Sequence, residues 1–96
     1  MTIRVVARAV ARPETRVALQ AALTAMLAPT RQEAGCVRYE LTVSTTDPDE
    51  FVMLEEWRSE ADVARHLQTR HVAELLAKAP ALVAAPPDIR SYRVLG

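Results

Sequence analysis

Cysteine, glycine, lysine and aromatic residues are all scarce in this chain. Cys36 is the only cysteine, so no disulfide forms within the chain, and a reducing, cytoplasmic setting is expected. Gly35 and Gly96 are the only glycines, which excludes the glycine-rich loops that cradle nucleotide phosphates. No run of ~18 or more apolar residues occurs, so no membrane-spanning helix is expected. The start, Met1-Thr2-Ile3-Arg4-Val5-Val6, has no long uncharged apolar core with a cleavage site, so no secretory leader is expected either. An excess of one charge is also missing. Twelve basic residues cancel twelve acidic ones, which leaves no footprint for nucleic acid or an anionic membrane.

What remains is an ordinary globular balance. Half of the 96 residues are apolar and a quarter are charged, which fits one domain over residues 1–96 and excludes disorder. A domain this small buries only about 60–65% of its unfolded surface and gains from a partner subunit.

Thr2 to Ala11 alternates as a strand: Ile3, Val5, Ala7 and Ala9 on one side, Arg4, Val6, Arg8 and Val10 on the other. Pro13-Glu14-Thr15 opens a helix whose buried stripe is Leu19, Ala22, Leu23, Met26 and Leu27. Pro29 predicts a kink or a fresh turn, and Gly35 a left-handed stop. Cys36 to Thr45 is a second strand with Val37, Tyr39, Leu41 and Val43 on its apolar side. A turn at Thr46-Asp47-Pro48-Asp49 leads to a third strand, Glu50 to Trp57. Ser59, with Asp62 three residues on, caps a short helix with Val63, Ala64 and Leu67 buried. A further helix starts at Thr69 or Arg70, buries Val72, Leu75, Leu76 and Ala79, and is broken by Pro80. Asp88 to Leu95 is the last strand.

The order βαββαβ predicts a ferredoxin-like α+β fold with an antiparallel sheet. Helices cover one face of such a sheet. The opposite face, with valine and leucine among its charges, predicts a two-fold homodimer joined sheet to sheet.

One run then becomes familiar. Thr30-Arg31-Gln32-Glu33-Ala34-Gly35-Cys36-Val37-Arg38-Tyr39-Glu40-Leu41 resembles the "TR-x-E-x-G-C-x-x-Y-x-L" segment of the antibiotic biosynthesis monooxygenase superfamily. Asp47-Pro48, the E-x-W of Glu55-Glu56-Trp57, Ser59 to His71, and the strand from Pro86 to Val94 continue the match over essentially the whole chain. The resemblance implies a dimeric α+β barrel. It also implies oxygenation of a small aromatic hydroquinone or polyketide-like phenolic, with no metal, flavin or haem. Haem is further disfavoured because haem-degrading relatives carry an asparagine on the first strand and this first strand has none.

The resemblance places His66 in a pocket, where an imidazole can take a phenolic or enolic proton; the alternative is a histidine that stabilises its helix C-terminus. His71 is a candidate for the pocket rim. A metal site from His66 and His71 is not expected, because five residues across a helix break do not place two ligands on one face. Glu55 shares a strand face with Phe51, Met53 and Trp57. It either pairs with Arg8 or Arg93, or serves as a second acid or base. Tyr39 and Trp57 either stack on a planar substrate or pack the core or dimer contact. Arg38 and Glu40 read as a cross-strand or intersubunit ion pair, Glu33 as part of the turn, and Cys36 as packing. Three functions follow: a cofactor-independent monooxygenase, an isomerase moving a proton with His66 and Glu55, or a non-enzymatic binder of small hydrophobic molecules.

Overall fold

The structure, a computed structural model, describes residues 2–96. Strands β1 (Ile3–Val10), β2 (Cys36–Val43), β3 (Glu50–Trp57) and β4 (Asp88–Arg93) form one antiparallel sheet in the order β2-β3-β1-β4. Helices α1 (Arg16–Thr24) and α2 (Leu27–Arg31) connect β1 to β2, α3 (Glu60–His66) and α4 (Arg70–Leu82) connect β3 to β4, and a turn joins β2 to β3. This is the ferredoxin-like α+β plan expected from the element order. No helix among the described residues is long and apolar enough to cross a membrane.

The core lies between the helices and one sheet face. Ile3, Val5 and Ala9 of β1, Phe51, Met53 and Trp57 of β3 and Tyr39 of β2 meet Leu19, Leu23, Met26 and Val72 from the helices. Of the expected stripe of the first helical segment, Leu19, Leu23 and Met26 are buried, and Ala22 and Leu27 partly so.

Four local expectations are corrected. First, the register of β2 shifts between Cys36 and Arg38, so Cys36, not Val37, pairs opposite Trp57. A bulge moves one residue to the other face, and Val37 is left 52% exposed. Secondly, the helix break falls at Ala25–Met26, ahead of Pro29, which sits inside α2. Proline is tolerated in a first turn, where its N–H has no intrahelical partner to lose.

Thirdly, α4 continues through Pro80 to Leu82. Its final carbonyls are held from outside the helix. Arg12 donates to the carbonyls of Ala81 and Val83, and the Thr15 hydroxyl donates to that of Leu82. A guanidinium at a helix C-terminus also complements the helix dipole. Fourthly, Leu67 and Leu76 are half exposed, because they rim an opening and do not fill the core.

The other sheet face carries Val6, Val52, Leu54 and Tyr92 among charges. Arg4 pairs with Glu56 at 3.4 Å and Arg8 with Glu50 at 2.6 Å. Arg38 and Glu40 are 3.8 Å apart along one strand, not across strands.

Candidate active site

A cavity of about 180 Å³ lies between the sheet and the helices. Its walls are aliphatic except for Tyr39, Glu55, His66 and Ser91. Leu67, Leu76 and Ile89 line it while remaining half exposed, which gives it an apolar mouth.

His66 is placed by two caps. Ser59 Oγ accepts the Asp62 N–H at 3.2 Å and donates to Asp62 Oδ2 at 2.8 Å, which starts α3 about two turns before His66. At the other end Thr69 joins two helices. Its hydroxyl donates to the His66 carbonyl at 2.7 Å and accepts from the Val72 N–H at 3.4 Å as the N-cap of α4. The chain therefore turns sharply between His66 and His71, and both rings meet one carboxylate.

That carboxylate is Glu33. Its Oε2 lies 2.7 Å from His66 Nδ1 and 2.8 Å from His71 Nε2. A carboxylate only accepts. The Thr69 hydroxyl has spent its proton on the His66 carbonyl, so at 3.3 Å from His71 Nε2 it too only accepts. The network therefore assigns the proton to Nε2 of His71 and to Nδ1 of His66. In the neutral ring this leaves Nε2 of His66 with its lone pair, and His66 is a wall of the cavity.

The His66 ring is also held between aromatics. Trp57 lies tilted against it at 4.7 Å between centroids, and Tyr39 meets it edge-on at 5.8 Å. Trp57 is fully buried and does not reach the cavity wall. Its Nε1 instead donates to Glu55 Oε1 at 2.9 Å.

Glu55 stands on β3 between Val5 of β1 and Tyr39 of β2. The arginines expected as its partners are elsewhere: Arg8 is paired with Glu50, and Arg93 lies exposed at the end of β4. With no cation beside it among the described residues, burial pushes the Glu55 carboxyl up to about 7. The Trp57 N–H opposes this shift and the charge of Glu33 adds to it. Burial likewise holds the Tyr39 hydroxyl well above the usual phenol range, with Glu55 reinforcing the shift, so Tyr39 remains an O–H donor. Burial also pushes the Cys36 thiol up, which keeps it out of the thiolate form.

Of the residues singled out from the sequence, Tyr39, Glu55 and His66 line the cavity, and Trp57 and His71 stand behind His66. The residue that sequence reasoning missed is Glu33. It does not merely serve the turn, since it joins two histidines 33 and 38 positions away. The premise that a helix break keeps the His66 and His71 rings from facing one point does not hold. Glu33, His66 and His71 offer ligand atoms within 4.8 Å of one another.

Gly35 fixes this loop. Its φ is +89°, a left-handed value that disfavours a side chain, and a Cβ there would overlap the Asp62 carboxyl. Only glycine lets the Glu33 loop lie against the start of α3.

Comparison with known proteins agrees with this architecture. Residues 2–78 match the family model described as "Antibiotic biosynthesis monooxygenase". The chain is 40% identical over 94 residues to the Mycobacterium tuberculosis protein named "Putative monooxygenase Rv0793", covering 90% of this chain and 92% of that one. It is 32% identical over 78 residues to "Putative monooxygenase YcnE" of Bacillus subtilis, covering 81% and 82%. It also matches the uncharacterised Synechocystis protein sll1783, 35% identical over 66 residues, but spans only 45% of that protein's length. The solved structure of Rv0793 superposes with a TM-score of 0.95 over 100% of this chain and 97% of its own, at 33% identity. That of PA3566 from Pseudomonas aeruginosa superposes with a TM-score of 0.92 over 99% and 95%, also at 33% identity. With sequence and fold in agreement over most of its length, the chain belongs to the antibiotic biosynthesis monooxygenase family.

Proposed function

We propose that the protein is a monooxygenase that hydroxylates a small, single-ring hydroquinone without a cofactor, with His66 as the base that starts the reaction. The observation that carries this reading is a histidine on the wall of an apolar cavity, its Nδ1 tied to Glu33 and its Nε2 unengaged. A base in that state takes the phenolic proton of a bound hydroquinone. The resulting phenolate is electron-rich enough to pass an electron to dioxygen. Recombination forms the ring C–O bond, the second oxygen atom leaves as water, and the substrate supplies both electrons. The products are a hydroxylated quinone and water. The aliphatic walls keep water from the radical pair. Tyr39 and Ser91 supply hydroxyls for the oxygens of the substrate.

Size favours one ring. An engineered cavity of about 150 Å³ in another protein accepts benzene, so about 180 Å³ suits a monocyclic ring with small substituents. A three-ring phenol would have to extend out through the mouth between Leu67, Leu76 and Ile89.

The isomerase reading has one observation of its own. Glu55, on the same cavity, has a carboxyl at about 7 and is able to hold or release a proton near neutrality. The two readings separate in an oxygen electrode. The monooxygenase consumes one O₂ per hydroquinone and yields the oxygenated product, more readily with one-ring than three-ring substrates. Deuterium uptake from solvent without oxygen consumption would instead favour the isomerase.

The working unit in this reading is a homodimer formed through Val6, Val52, Leu54 and Tyr92 on the sheet face that helices leave uncovered. Sedimentation at micromolar concentration should report about 21 kDa, twice the chain mass. A stable monomer of half that mass would contradict it.

A further inference from the structure

We propose that Glu33, His66 and His71 also form a binding site for a divalent transition metal of the zinc class, and that its occupation switches His66 off as a base. The binding claim stands on geometry alone; the switching claim rests on the function proposed above.

Three donors converge from separate elements: Glu33 from the loop before β2, His66 from the end of α3, and His71 from the first turn of α4. Two imidazole nitrogens and one carboxylate oxygen suit zinc and its neighbours, whereas calcium and magnesium prefer all-oxygen sites. Metal–ligand bonds of about 2.0–2.1 Å in a tetrahedral site place ligands about 3.3 Å apart. Glu33 Oε2 now sits 2.7 and 2.8 Å from the two nitrogens, and the three ligand atoms lie within 4.8 Å of one another, so the carboxylate must withdraw and the imidazoles adjust around it for an ion to seat. The glutamate has three rotatable side-chain bonds and each imidazole two with which to make that adjustment. Both nitrogens already aim at one point. The ion reaches it from the His71 side, where the imidazole is 21% and the carboxylate 14% exposed, against 6% for His66. Three protein ligands leave the fourth position to water.

The consequence for His66 follows from its two nitrogens. In the hydrogen-bonded state Nδ1 carries the proton and Nε2 the lone pair. A metal takes the Nδ1 lone pair, and the neutral ring keeps its single proton on Nε2. The nitrogen that accepted a proton has become a donor. No atom is gained or lost by the protein; the proton moves from one ring nitrogen to the other. Metal binding and substrate deprotonation are then mutually exclusive at one residue.

The test is a calorimetric titration of the metal-stripped protein with Zn²⁺, with no substrate present. One ion per chain is expected, and Glu33→Gln and His71→Gln should each weaken binding at least tenfold. Far-UV circular dichroism confirms that the variants fold. Should one of them unfold, the other still decides the question, and the absorption of Co²⁺ bound to the wild-type protein reports tetrahedral nitrogen and oxygen ligation directly. Absence of stoichiometric binding, or binding that neither variant weakens, would overturn the site. In the activity arm, oxygen uptake should fall in proportion to zinc occupancy and return with a chelator. A metal that raises the rate would overturn the switch and point to metal-assisted oxygenation. If the chelated wild-type protein consumes no oxygen with any hydroquinone, the proposed function fails while the binding result stands on its own.

Discussion

Two carboxylates enter the same site and are treated in opposite ways. Glu33 has two imidazole partners at 2.7 and 2.8 Å on one oxygen. Glu55 has one indole N–H at 2.9 Å and no cation. The first arrangement spends the carboxylate on orienting a base. The second leaves a buried acid whose proton is shared almost equally with water at neutral pH. The lesson is that partner count, not burial alone, separates an anchor from a proton reservoir.

That contrast can be broken at either residue. Glu33→Gln should have the larger effect. An amide presents an N–H or a carbonyl to His66 Nδ1 and no longer enforces one tautomer, so turnover should fall about 10²-fold, toward the lower end of what a positioned base contributes. Steady-state oxygen uptake checks this, and unchanged turnover would show that Glu33 does not orient the base.

Glu55→Gln should act on stability and with the opposite sign. The folded-state carboxyl titrates at about 7 against an ordinary 4.5. Below the ordinary value both states hold the proton and nothing is lost. Between the two values the folded state binds more protons, so stability falls as pH rises, and above about 7 the full cost of a buried charge is present. That cost is about 3 kcal/mol at most. Glutamine keeps the Trp57 hydrogen bond without the charge. Urea denaturation should therefore find Glu55→Gln more stable than wild type at pH 8, with little difference at pH 5. Equal stability at pH 8 would place Glu55 in contact with water or a cation.

Smaller effects test the scaffold that holds Glu33 near His66. Gly35→Ala should cost about 2 kcal/mol from the left-handed backbone, with more from the overlap with Asp62. Its thermal midpoint and its turnover should fall together, because the Glu33 loop moves. Ser59→Ala removes the cap of α3 and its bond to Asp62 and should cost about 1 kcal/mol, with a loss of turnover smaller than that of Gly35→Ala at temperatures where the protein stays folded.

Much of the fold was legible in the sequence, because strand alternation and helical stripes are local. The order of elements and the buried sets Ile3-Val5-Ala9 and Leu19-Leu23-Met26 follow directly from spacing. What escaped needed tertiary knowledge. The bulge at Cys36–Arg38 inverts Val37 without any turn residue to announce it. The helix runs on past Pro80 to Leu82, where Arg12 and Thr15, far away in sequence, hold its last carbonyls. Leu67 and Leu76 have a buried periodicity but border an opening. The site divides in the same way. Glu55 stood out as a carboxylate among apolar strand-mates, and His66 through the family resemblance. Glu33 stood beside a turn glycine, where an acid is unremarkable, and only the fold brings the histidines to it.

The central claim is that His66, oriented by Glu33, takes the proton that starts oxygenation. Oxygen uptake by wild-type protein and His66→Gln, measured side by side on a single-ring hydroquinone in the presence of a chelator, tests it most directly. The account predicts a rate lower by about 10²–10⁴-fold for His66→Gln, with the fold intact by circular dichroism. Turnover of His66→Gln at the wild-type rate would contradict it.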